Sequence, residues 1–226
     1  NPYGHTSWVI DKNLYPEGHP YNWQVIGELV DLQNATISDV KEFYNSYYGP
    51  NNATLVLAGD FETEDAKALI EKYFGEIKPK EEVAKLEPQP VTLSETKRLF
   101  HEDNFATAPQ LNMVWPTLQQ YTEDAYALDF LGELISSGKK APLYQVLVKD
   151  KNLTSRTTAY NNSQELAGEF HIIITANNGV NLNEVEAGIF EAFKLLEKEG
   201  VSDSDVERIK AGLETGFYNG IGSVLG

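Results

Sequence analysis

The chain has no cysteine, a single methionine and 18 basic residues against 34 acidic ones, and each scarcity removes a class of function. Without cysteine there can be no disulfide, no thiolate nucleophile and no thiolate-bound metal, although this leaves the compartment undecided. The formal charge of −16 repels a phosphate backbone and argues against nucleic-acid binding; it reads more simply as a solubilising surface. No apolar run approaches the roughly 20 residues that a helical membrane span requires. No signal-peptide pattern is visible, which carries little weight because Asn1 falls inside a motif discussed below. Gly-x-Ser-x-Gly, Gly-x-x-x-x-Gly-Lys and Gly-x-Gly-x-x-Gly are all missing, so the serine-hydrolase and nucleotide-binding readings lose their support.

What is present is globular. Hydrophobic residues make up 41% and aromatics 11% of 226 positions, a length that suits two domains of about 100–150 residues. The most informative stretch is Tyr48 to Asp60. Gly49 and Pro50 stop a helix, Asn51 and Asn52 turn the chain, and Thr54 to Ala58 is an apolar run of strand length. Thr63 then caps an amphipathic helix with Ala66, Leu69, Ile70, Tyr73 and Phe74 on one stripe, ended by Gly75. Tyr44, Tyr47 and Tyr48, with Tyr73 and Phe74, fall at helical spacing and read as core packing rather than as a carbohydrate platform.

The charged, proline-bearing stretch from Lys78 to Pro90 lacks any period, so residues 76–94 read as an interdomain linker. Beyond it, Thr96 to Phe105 and Gln110 to Trp115 are predicted strands, the second alternating through Leu111, Met113 and Trp115 and closed by Pro116. Thr122 caps a helix carrying Ala125, Leu128, Leu131 and Leu134, which Ser136-Ser137-Gly138 breaks. Pro142 opens a shorter helix. Leu153 to Asn161 and Gly168 to Thr175 form a predicted strand pair. Val185, Ile189, Phe193 and Leu196 mark a helix stopped by Gly200, and Ser202 starts the last, with Val206, Ile209, Leu213 and Phe217. Ser202-Asp203-Ser204-Asp205 superficially suggests a calcium loop but lacks the required glycine and distal glutamate, and a capping box explains it better.

Asn1-Pro2-Tyr3-Gly4, Leu14 to Tyr21 with its His19-Pro20-Tyr21, Thr36 to Val40, and Tyr48 to Ala53 together resemble the M16 family of zinc metallopeptidases, the insulinase, pitrilysin and processing-peptidase relatives, in its bacterial form. The resemblance implies an α+β fold, the two-layer M16/LuxS-like arrangement of helices on a mostly antiparallel sheet. It further implies that residues 1–75 are the C-terminal portion of a first, zinc-bearing domain. Residues 95–226 would then be a second, non-catalytic domain of the inactive type, its last helix cut short.

In that family zinc is held by a His-x-x-Glu-His helix and a later glutamate, the motif glutamate acting as general base. None of the four histidines here sits in such a motif, so the resemblance places every zinc ligand upstream of Asn1 and none in this chain. His171, among Phe170 and three isoleucines, reads as a sheet residue facing solvent or a polar neighbour. His19 reads as a turn residue that helps place Tyr21. His101-Glu102-Asp103 offers one histidine and two acids in an extended run, a weak metal site.

The family also uses an Arg and a Tyr, seven residues apart, from the opposite half. The matching stretch, Leu147 to Ser155, carries Val148 and Ser155 at those positions, and neither replaces the oxyanion donors. Catalytic and metal residues are therefore not expected in this chain. The resemblance does suggest Ser136, Ser137 and Gly138 as contacts to a peptide substrate, against their reading as an ordinary helix-end loop.

The expected function is a fragment of a zinc-dependent endopeptidase that cleaves peptides inside a two-half clamshell, inactive alone and partnered by a second half carrying the Arg/Tyr pair. The alternatives are a non-catalytic scaffold of the kind found in processing complexes, and a stand-alone acidic peptide-binding module. The resemblance favours a bacterial periplasm or cell envelope, with the cytoplasm left open. A lone strand at Thr54 to Ala58 cannot make a sheet, so residues 1–75 are expected to expose a strand edge and apolar faces and to self-associate.

Overall fold

The computed structural model describes residues 1–223. They form two compact units, one of residues 1–24 with 87–215, the other of residues 25–86 with those from Gly216 on. The first unit is built on a three-stranded antiparallel sheet ordered β1-β3-β2, with β1 at Gln110–Thr117, β2 at Thr158–Ser163 and β3 at Gly168–Thr175. This is the expected α+β arrangement, helices on an antiparallel sheet.

β3 lies in the middle, and its alternation assigns the faces. Phe170, Ile172 and Ile174 point to one side with Ala159, and Leu111, Met113 and Trp115 join them from β1. Helices α5 (Glu123–Ser136) and α6 (Leu182–Glu199) cover that side, together with a π-helix over Tyr144–Asp150. Ile135, Leu143, Leu147, Val185 and Ile189 complete the core there. Each such side chain contributes about 1.5–3 kcal/mol by leaving water. Pro116 does not close β1, which runs on to Thr117 opposite Gly168. A proline is tolerated because β1 is an edge strand.

The caps match the sequence closely. Thr122 Oγ1 accepts from Ala125 N at 3.2 Å to start α5, and Gly200, with φ +71°, ends α6. At the start of α7 (Asp203–Gly220), Ser202 Oγ donates to Asp205 Oδ2 at 2.6 Å and accepts from Asp205 N at 3.2 Å, a capping box and not a calcium loop.

Other expectations fail for identifiable reasons. Thr96–Phe105 joins no ladder among the described residues and is instead fastened by side chains: Lys97 donates to Asn13 O at 2.6 Å and Arg98 pairs with Glu186 through two bonds of 2.7 and 3.0 Å. β2 starts at Thr158 rather than Leu153. The buried Thr154 instead donates through Oγ1 to Thr175 O at 2.7 Å, which ties the approach segment to the end of β3. The helix after Pro142 widens into π geometry.

Residues 1–24 belong to the first unit by packing. Helix α1 (Thr6–Leu14) and Tyr15 close a small cluster with Ala167, Val114, Val91 and Leu93 on the other side of the sheet. The sequence drew its boundary at 76–94; the compact units are divided at different points.

The second unit holds helices α2 (Leu29–Asn34) and α3 (Ile37–Tyr47), each with a capping box, and α4 (Thr63–Phe74), which has no side-chain cap bond. Glu62, one residue earlier than expected, is the N-cap of α4. Thr54–Ala58 pairs with no strand among the described residues, and Leu55, Val56 and Leu57 are exposed. The aromatic stripe is not core either. Phe43, Tyr44, Tyr47, Tyr48, Tyr73 and Phe74 are exposed, several of them touching one another, as in the Phe43–Tyr47 pair at 4.7 Å. Helical spacing shows which side chains share a face, but burial needs a second layer.

Gly188 sets the approach of α6 to the π-helix: a Cβ there would lie 2.5 Å from Leu147 Cδ2, inside a fully buried cluster. Gly188→Ala is therefore expected to lower stability by about 1–3 kcal/mol through overpacking, despite the better helix propensity of alanine. Urea denaturation of both proteins checks this; an unchanged midpoint would show that the interface has slack.

Candidate functional site

The turn after α5 holds the three residues suggested as peptide contacts. Ser136 Oγ points back into the protein, donating to Gly132 O at 2.9 Å with Ala159 O at 3.3 Å, and its carbonyl accepts from Thr157 Oγ1 at 3.3 Å. That hydroxyl is occupied in fastening the helix end to β2. Ser137 N donates to Glu133 O at 2.9 Å as the C-cap, and Ser137 O accepts from Arg208 Nη1 of α7 at 3.4 Å. Gly138 has φ +82° and is exposed. What this turn leaves for a ligand is the Ser137 side chain and the Gly138 backbone, beside the Arg208 guanidinium.

Val148 lies half-buried on the π-helix and Ser155 is exposed in the loop before β2. Their side chains offer an isopropyl group and a hydroxyl, with no cation between them.

The histidines have structural partners. His19 is buried: its Nδ1 accepts from Tyr21 N at 3.0 Å, which leaves Nε2 to donate to Gln89 O at 3.0 Å, and its ring stacks on Tyr15 at 4.6 Å. It does place Tyr21, whose hydroxyl accepts from Leu166 N at 3.1 Å. His5 and His101 meet edge to face at 5.7 Å. The neighbouring Asp103 accepts from the N–H groups of Phe105, Ala106 and Tyr3, which hold its carboxyl below the usual range. Among the described residues no three His, Asp or Glu side chains converge as metal ligands.

A polar set of which the sequence reading names only His171, as a sheet residue with a polar neighbour, lies beneath α1. Glu169 and His171 are both buried on β3, with His171 Nε2 2.7 Å from Glu169 Oε2. His171 stacks on Tyr160 of β2 at 4.9 Å and 8°, so its polar neighbours are a carboxylate and a phenol, not solvent. From the other side come Asp11, bonded to Gln24 Nε2 at 2.5 Å, and Tyr15, whose buried hydroxyl lies near the Glu169 carboxylate. Burial, then the Glu169 charge, raises the Asp11 carboxyl to about 6. The same two causes push the Tyr15 phenol upward. The signal was available: Glu169 and His171 stand at i and i+2 in a strand, which puts both on one face.

A family model for the peptidase M16 inactive domain matches residues 34–213. The chain belongs to the M16 peptidase family. It is 27% identical over 213 residues to the zinc protease PqqE of Helicobacter pylori (strain ATCC 700392 / 26695), a match covering 91% of this chain and 47% of that protein. The chain thus spans about half the length of that relative. The crystal structure of a protease from Helicobacter pylori superposes with a TM-score of 0.82 at 25% identity, over 99% of this chain and 54% of that one. The periplasmic protease PqqL of Escherichia coli shares the fold, with a TM-score of 0.72 at 18% identity over 97% of this chain and 25% of that one.

Ser136→Ala, by removing a part-buried donor, is expected to cost about 1 kcal/mol, and Gly138→Ala about 1 kcal/mol by forcing a side chain into positive φ. Denaturant titration measures both. If neither variant loses stability, the turn is not held by these bonds, and Ser136 is free to serve a ligand instead.

Proposed function

We propose that this chain is the part of an M16 zinc endopeptidase that forms wall and peptide contacts of a two-half clamshell chamber, leaving metal and oxyanion chemistry to residues outside it. The observation that carries this reading is the family match over 34–213, which is of the inactive-domain type. Two features of the chain support it. Val148 and Ser155 stand where the family's Arg and Tyr would, and among the described residues no three His, Asp or Glu side chains converge. Zinc belongs to the parent protein, with ligands upstream of Asn1 as the resemblance implies. The named relative is a zinc protease.

On this reading residues 1–75 are the end of the zinc-bearing domain, 76–94 the linker and 95–226 the inactive domain, a division that the inactive-domain match crosses by starting at residue 34 and that residues 1–24 cross by packing with 87–215. Ser137 and Gly138, with Ser136 holding the turn behind them, contact the peptide backbone. The partner is a second half carrying the Arg/Tyr pair. PqqL is a periplasmic protease whose first half has been solved separately, which favours two halves and a periplasmic or envelope setting here.

Purified chain 1–226 should retain less than about a tenth of an equivalent of zinc after dialysis, since three converging donors are the minimum for a catalytic site. The full-length protein should cleave peptides only when the Arg/Tyr half is added. One equivalent of zinc on this chain, lost on mutating His19 or His101, would refute the assignment, and so would full activity of a single half. A parent protein with a degenerate His-x-x-Glu-His and no activity with either half would establish the scaffold reading instead.

The exposed faces of α3, α4 and Thr54–Ala58 are expected to drive self-association of the isolated chain, because uncovered strand edges and apolar patches pair. Light scattering over a concentration series should show mass rising above the monomer, and Phe43→Ser with Val56→Ser should suppress it. A strictly monomeric chain at all concentrations would mean that these faces need no cover.

A further inference from the structure

We propose that the turn after α5 takes carboxylate side chains, so that the peptides this chain contacts are acidic ones; the inference rests on reading the turn at 136–138 as a peptide contact and adds the chemistry of the peptide. Residues 136–156 carry five basic side chains, Lys139, Lys140, Lys149, Lys151 and Arg156, against the single acid Asp150, a net charge of +4 within a chain of −16. The fold gathers these cations at the turn. Gln145 donates through Nε2 to Lys139 O and accepts from Lys149 Nζ at 2.8 Å, which sets Lys149 beside Lys139. Thr157, next to Arg156, donates through Oγ1 to Ser136 O at 3.3 Å, and Arg208 arrives from α7 on Ser137 O at 3.4 Å.

Most of that charge is unspent. Lys151 pairs with Glu191 at 2.9 Å, and Arg208 stands 3.7 Å from Asp205, a carboxylate that Ser202 already holds and that lies near Lys140 as well. Lys139, Lys140, Lys149 and Arg156 are exposed and form no ion pair among the described residues. The backbone adds donors of its own. The N–H groups of Gly138, Lys139 and Lys140 donate to nothing among the described residues, and Gly138, at φ +82°, has no Cβ to keep a ligand away from them. An ionised carboxylate only accepts hydrogen bonds, and it accepts most strongly from ammonium, guanidinium and ordered N–H groups.

The surface beside the cations selects a peptide over a phosphate chain. Leu134, on the last turn of α5, lines an apolar hollow of about 560 Å³ with Leu118, Leu128, Leu131 and Val201. A peptide presents apolar and acidic side chains within a few residues and can use both surfaces. A polynucleotide can use only the cations, and the negative charge of the whole chain opposes it.

Fluorescence anisotropy on chain 1–226 tests this with a labelled peptide of glutamate and leucine and with a counterpart bearing glutamine at each glutamate. The glutamate peptide should bind about tenfold more tightly, and raising salt from about 50 to about 300 mM should narrow that gap several-fold. Lys139→Glu with Lys140→Glu, whose side chains hold nothing in the fold among the described residues, should abolish the preference. The same change of charge on α4, Lys67→Glu with Lys72→Glu, should leave it. Equal binding of the two peptides overturns the acidic preference while leaving the turn a peptide contact, and binding of neither overturns both readings. The proposal also falls if the α4 variant loses as much as the turn variant, since net charge alone then acts. It falls likewise if a single-stranded oligonucleotide displaces the glutamate peptide with equal affinity, since the surface then accepts any polyanion.

Discussion

The first unit depends on one constraint: β3 is a central strand with two chemically different faces, and both have to be covered. Phe170, Ile172 and Ile174 demand an apolar layer, which α5, the π-helix and α6 provide. Glu169 and His171 demand something else. A buried carboxylate without a partner costs several kcal/mol, so Glu169 is met by the His171 imidazole and the sheet face is closed by residues 1–24, whose Leu14 and Tyr15 exclude water around it. Because side chains alternate strictly along a strand, a one-residue slip of β3 would drive the acid into the isoleucine core and the isoleucines under α1. The polar pair therefore fixes register as firmly as the apolar one.

Much of this was legible in the sequence. The bounds of β3, the Thr122 cap, the Gly200 stop and the Ser202 box follow from period and capping chemistry, which act within a few residues and need no knowledge of neighbours. The failures lie where a distant partner decides. Thr96–Phe105 has strand composition, but its lysine and arginine find Asn13 and Glu186, a choice that residues some ninety positions apart make together. Leu153–Thr157 is fastened by a side-chain bond from the buried Thr154 to the end of β3 rather than by a ladder. The docking of residues 1–24 could not be read from period at all, since α1 shows its apolar contacts at only Ile10 and Leu14 before Tyr15.

At the candidate site the same distinction holds. Ser136, Ser137 and Gly138 were picked out as a possible ligand turn, and the structure brings them together at the end of α5 beside Arg208. It also shows that one of the three hydroxyl or backbone groups, the Ser136 side chain, is bound to its own helix and to β2. A motif names positions; the direction of an Oγ is settled by whichever acceptor lies nearest. The set of half-buried Asp11 with buried Tyr15, Glu169 and His171 carries no motif because its members come from two segments that only the fold unites.

Residues 25–86 make the complementary case, in which local signals are satisfied and tertiary ones are not. α3 has a full capping box, with Thr36 N and Oγ1 on Asp39 Oδ2 at 2.7 and 2.9 Å and Asp39 N on Thr36 Oγ1 at 3.3 Å. Asn51 and Lys80 exchange bonds of 2.9 and 3.1 Å that close the turn after it. Yet caps are worth about 1 kcal/mol each, and helices of 11 and 12 residues are marginal in water without an apolar face to bury. The stripes on α3 and α4 are drawn for such burial and remain exposed among the described residues. Phe43, Tyr47, Leu69 and Tyr73 align along the helix faces and gain by burial only when a second layer covers them. That is the physical reason for reading this surface as an interface rather than as a solvated exterior.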